Sequence, residues 1–166
     1  GSVGGNFRAL AGSTVNISGG RVERGFLAAG SAVSISGGSV GGHFNALDGS
    51  TVDISGGIVG DRFEAFDGSV VNLFVTDITI DGVDLGLSLG ETREITQRAE
   101  LLLKATLADG SFFDLFLDTD RSGGSVRFED FIDSGATLTV TRVVPTPGAA
   151  GVLGMAGLVA SRRRRG

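Results

Sequence analysis

Few residues in this chain have the types and spacing that chemistry needs. Asp118, Asp120 and Ser122, with Gly123 and then Glu129, match the spacing of an EF-hand calcium loop. Such a loop places oxygen ligands at positions 1, 3 and 5, glycine at 6 and glutamate at 12. The donor set suits Ca²⁺, which takes six to eight hard oxygen ligands. The approach, Phe112 to Leu117, alternates as a strand, where an EF-hand has a helix. Ser125 also holds the place usually given to an aliphatic. These residues therefore read as a polar loop, with Ca²⁺ binding as the alternative. A second acidic group is the column of Asp48 and Asp67, with Asp53, Asp61 and Glu64 nearby. Carboxylates gathered beside Arg or Lys on one face would suit glycoside chemistry. Acidic residues at turns also end strands and keep a surface soluble, and these carboxylates read as such. His43 has no repeated partner and reads as a surface histidine. The chain has no Cys, no Ser/His/Asp set, no phosphate-binding loop and no paired His ligands. No enzyme activity and no cofactor is expected.

These residues are carried on a repeat. Gly12-Ser13, Gly30-Ser31, Gly49-Ser50 and Gly68-Ser69 recur at steps of 18, 19 and 19 residues. Val15, Val33, Val52 and Val71 form one column, and Ile17, Ile35, Ile54 and Leu73 the next. Val22, Val40 and Val59 follow glycine pairs; Phe26, Phe44 and Phe63 come four residues later, then Ala28, Ala46 and Ala65. Gly1 to Ala11 fits the second half of the unit, with Val3, Phe7 and Ala9 in register.

A Val-x-Ile alternation puts two apolar side chains on one face of a strand and the residue between them on the other. That middle column is Asn16, Ser34, Asp53 and Asn72, which is polar and should face water. Paired glycines offer the positive φ angles of sharp turns. One unit cannot bury its apolar face alone, so units must stack. The expected fold is all-β: a short β-solenoid of 18–19-residue coils over residues 1–73, a small β-rich capping segment over 74–143, and a C-terminal hydrophobic tail over 144–166. The start within a repeat implies further coils and an export signal upstream. A calcium-binding β-roll is excluded, because Arg21, Ser39 and Ile58 follow the glycine pairs where such repeats need Asp. The column Thr14, Ala32, Thr51 and Val70 is only half threonine, which speaks against an ice-binding face.

In the middle segment, Thr76 to Leu89 alternates and breaks at Asp81-Gly82. Leu101 to Leu107 and Phe112 to Leu117 flank a turn at Asp109-Gly110, a strong hairpin signal. Ala136 to Val144 reads as a last strand. Glu91 to Lys104 places Ile95, Ala99 and Leu102 at helical spacing, but strand is preferred because the hairpin needs Leu101 onward extended.

The tail has three parts: Pro145-Thr146-Pro147, an apolar run from Ala149 to Ala160, and Arg162, Arg163, Arg164 and Arg165. Removing that Arg run from the 14 basic residues leaves 10 against 19 acidic ones, a body of net charge −9. Such a body disfavours nucleic acid. The order of the tail resembles the PEP-CTERM sorting signal of exported bacterial proteins, with Thr146 where that family usually has Glu. The resemblance implies recognition of Pro145 and Pro147 by an exosortase-type membrane protease. It also implies a transient stay in the inner membrane, then release to the cell surface or the extracellular polysaccharide matrix. The apolar run is shorter than the roughly 20 residues of a full span. The arginines would stay cytoplasmic by the positive-inside rule. The expected function is a structural or adhesive surface protein. The alternatives are a polysaccharide-degrading enzyme with its active site on upstream coils, or a Ca²⁺-dependent binding module.

Overall fold

A computed structural model describes residues 1–60, 62–119 and 130–146. It is all-β, with no helix among the described residues. Strands β1 (Ser2–Val3) and β2 (Asn6–Ala9) open the chain. Long and short strands then alternate: β3 (Thr14–Val22), β4 (Gly25–Ala28), β5 (Ala32–Val40), β6 (His43–Ala46), β7 (Thr51–Val59) and β8 (Arg62–Ala65). Long strands pair in parallel with long, short with short, and the result is a β-solenoid of about four turns. The columns read from the sequence hold residue for residue. Val15, Val33, Val52 and Val71 are successive partners, as are Ile17, Ile35, Ile54 and Leu73. Phe7, Phe26, Phe44 and Phe63 do the same on the second sheet. Their rings stack at centroid separations of 5.0, 5.1 and 5.2 Å. Strand spacing imposes that separation, so each ring covers the next.

The glycine pairs work differently from the expectation. Only the second glycine of each pair has positive φ: Gly20, Gly38 and Gly57. In the inner coils the first is there for space: a Cβ on Gly37 would lie 2.9 Å from the Ser18 carbonyl oxygen, and one on Gly56 would run into the Asp109 side chain. Coils stack corner on corner too closely for side chains.

The single 18-residue step also has a structural consequence. Ser13, Ser50 and Ser69 each donate their hydroxyl to the carbonyl three residues earlier. The turn before Ser31 is one residue shorter, and Ser31 Oγ is buried with no hydrogen-bond partner among the described residues. A buried unpaired hydroxyl destabilises by about 1–3 kcal/mol. Ser31→Ala is therefore expected to be neutral or to stabilise by up to about 1 kcal/mol, while Ser50→Ala, which loses a made bond, destabilises by about 1 kcal/mol. Urea unfolding of the two variants checks that Ser50→Ala alone destabilises.

After Leu73 the repeat's Ser-Gly-Gly corner, where the earlier ladders shift register, is replaced by Phe74-Val75-Thr76. Strand β9 (Val70–Ile80) continues through the 73/74 boundary in unbroken register with its later partner strand. It turns at Asp81-Gly82, where Asp81 has φ 49°, into β10 (Val83–Asp84). Next come β11 (Thr92–Glu94), the hairpin β12 (Leu102–Leu107) and β13 (Phe112–Phe116), and then β14 (Phe131–Ile132) and β15 (Thr137–Arg142). Between Glu94 and Leu102 the chain is neither strand nor helix. Ile95 is fully buried there, and the Arg98 guanidinium donates to the carbonyls of Ile95, Gln97, Asp133 and Ala136. Those tertiary bonds override the strand preference.

The strands β14 and β15 add one more rung to the solenoid. β15 pairs in parallel with β9, placing Leu138 on Val71 and Val140 on Leu73. β14 pairs in parallel with β8. The chain thus leaves the solenoid after β9 and returns to complete it. β11 then pairs antiparallel with β15 and covers that edge. The β12–β13 hairpin pairs with the far half of β9 and brings Phe113 edge-on to Phe63, centroids 5.7 Å apart at 85°.

Candidate functional site

Alternation along the long strands turns two columns outward. One runs Thr14, Ala32, Thr51, Val70 and Thr137; the other runs Asn16, Ser34, Asp53, Asn72 and Thr139. At the returning end the second column is tied side chain to side chain. Asn72 Nδ2 donates to Asp53 Oδ1 at 2.7 Å, and Thr139 Oγ1 donates to Asn72 Oδ1 at 2.7 Å. One strand further, the hydroxyls of Thr92 and Thr141 share a hydrogen bond of 2.8 Å. The second column thus repeats amide, hydroxyl and carboxylate groups at the strand spacing of about 4.8 Å, beside a first column in which Ala32 and Val70 interrupt the threonines. It can donate to and accept from a hydroxyl-rich partner along its length.

The other carboxylates do not converge on this face. Asp48 lies over Gly68 and Asp67 over Gly135, each covering the turn of the next rung. Glu64 is buried and pairs with Arg62 at 3.2 Å. With its amide turned to donate, Asn45 reaches Glu64 Oε2 at 2.9 Å. Asp61 lies outside the described residues. His43 is exposed and pairs in register between Gly25 and Arg62.

Asp130 was not singled out by sequence reasoning. It stands one residue before Phe131, which pairs with Glu64, so it falls level with Phe63 where the column calls for another phenylalanine. Its carboxylate instead accepts from Phe63 N at 2.8 Å and from Phe116 N at 3.0 Å, joining solenoid to hairpin. Burial pushes this carboxyl above its ordinary range, with Glu64 adding to the rise; the two main-chain donors and Arg62 oppose it. Asp130→Ala would strip both N–H groups of their acceptor and is expected to lose about 2–3 kcal/mol of stability, measured by urea unfolding.

Of the calcium-loop residues, Asp118 stands two residues beyond the end of β13, and its carbonyl accepts from Ile132 N at 2.8 Å. Asp120, Ser122 and Glu129 lie outside the described residues. Among the described residues no group of three or more His, Cys, Asp or Glu could hold a metal ion. No protein family, curated protein or solved structure matches this chain.

Of the sorting residues, Pro145 and Thr146 are exposed at the end of the described chain. Pro147 and Arg162, Arg163, Arg164 and Arg165 lie outside the described residues. Among the described residues, no helix is long and apolar enough to cross a membrane. Val143 N donates to Val75 O at 2.7 Å, continuing the β15–β9 ladder. Thr146 donates to Ala108 O twice, from N at 2.8 Å and from Oγ1 at 2.9 Å.

Proposed function

We propose that this chain is an exported, non-enzymatic surface protein that serves a structural or adhesive role. Its membrane targeting and processing run through the C-terminal segment. The observation that carries the reading is the outward polar face of the solenoid, repeated on every rung and knitted through Asp53, Asn72 and Thr139. A periodic face of this kind suits a periodic partner, and envelope or extracellular polysaccharide has the matching chemistry of repeating hydroxyls. The tail supports export through its likeness to a sorting signal, with an exosortase-type protease and the inner membrane as transient partners.

The test is expression of the tagged protein in its native host, with the C-terminal mass read in membrane and extracellular fractions. An extracellular form ending near Pro145 to Pro147 supports the reading. A protein that keeps Arg162 to Arg165 and stays inside the cell overturns it.

A further inference from the structure

We infer that Thr146 and the Ala108 carbonyl form a latch that keeps the C-terminal segment docked on the body as far as Thr146, so that recognition of Pro145 for processing waits on its opening. The acceptor is rigidly held. Ala108 is buried; its N–H donates to Phe74 O at 3.0 Å, and Asp109 N donates to Ser55 O at 3.2 Å. The Asp109 carboxylate accepts from Gly57 N at 2.8 Å, so one turn is fastened to β9 and to a solenoid corner together. Its carboxyl sits below the usual range: burial works against this, and bonds from Ser111 and Gly57 outweigh it. A carbonyl oxygen has two lone pairs and can take both Thr146 donors.

The segment is also cheap to order. Val143 already belongs to the ladder, and Pro145 has a fixed φ and no N–H to satisfy. The hydroxyl at 146 adds a second donor to the main-chain one, which a glutamate carboxylate could not supply. Thr146, the departure from the Pro-Glu-Pro pattern, is thus the residue that makes the contact.

A protease acts on the opened form of a segment, at a rate set by the opened population when opening and closing are fast. The inference rests on the sorting reading for its use, and the experiment separates the two. Amide exchange at Thr146 would be measured on the purified full-length chain and on its Thr146→Val and Thr146→Ser variants; maturation of the same three would be followed in the host. The expected result is slowed exchange at Thr146 in the wild type and in T146S, with both exchange and maturation roughly fivefold faster in T146V, the worth of one hydrogen bond. Wild-type exchange at the rate of a free peptide of residues 143–148, or a T146V that exchanges and matures like the wild type, would overturn the latch. Protected exchange with no maturation in any of the three would instead sink the sorting reading, and with it the latch's part in processing.

Discussion

Replacing Phe44 by alanine is expected to remove about 3–5 kcal/mol of stability, a large share of the roughly 5–15 kcal/mol that holds a domain folded. Phe44 is fully buried and lies between Phe26 and Phe63, nearly parallel to both at 4° and 5°. Truncation would open a cavity with a ring on either side. The coils cannot close it, because their spacing is fixed by the main-chain ladders above and below. Two stacked aromatic contacts would go as well. In a solenoid each coil contacts only its neighbours, so the loss should be local and position-dependent. Phe7→Ala is the matched control: Phe7 is half-buried and, among the described residues, stacks on Phe26 alone. Its expected loss is about 1–2 kcal/mol. Urea unfolding of both variants decides the matter, and equal losses would mean that the phenylalanine ladder is not the core.

How much of this was legible depended on whether a residue's role is set by its neighbours in sequence or by contacts made across the fold. Val15, Ile17 and Phe26 announce their columns because stacking repeats the same environment every coil, so the same residue types recur. Asp81-Gly82 and Asp109-Gly110 announce their hairpins because the turn itself demands those backbone angles. The returning rung was hidden because its signals were replaced. Asp130 stands level with the phenylalanine column, Ala136 takes the serine position, and the ring that covers Phe63 comes from Phe113 on the hairpin. Only Gly135 to Val140 kept the pattern, as the alternation of Leu138 and Val140. The stretch from Ile95 to Leu101 was unreadable for another reason: Arg98 shapes it through carbonyls of Asp133 and Ala136, far away in sequence. The outward face divides the same way. Alternation marks Asn16, Ser34, Asp53 and Asn72 as outward, but the bond from Thr139 to Asn72 exists only because the chain comes back. Nothing in the order of residues ties Thr146 to Ala108.

Gly42→Ala should be the most damaging of the glycine substitutions at the corners, with an expected loss of about 3 kcal/mol or more. Two causes combine. Gly42 has φ +71°, a conformation that costs an L-residue roughly 1–2 kcal/mol. A Cβ there would also fall on the carbonyl oxygen of Arg24 in the coil before. That oxygen is backbone, so it cannot swing aside as a side chain would; one coil would have to move against its neighbour and strain the ladders on both sheets. Gly12 separates the two causes. It has φ +77°, yet a Cβ on it would meet nothing within 4 Å among the described residues. Gly12→Ala should therefore show the conformational part alone, about 1–2 kcal/mol. The difference between the two variants measures the steric part. A Gly42→Ala variant no less stable than Gly12→Ala would mean that the coils have room to separate at this corner, and that close stacking of main chain is not what the glycines are there to permit.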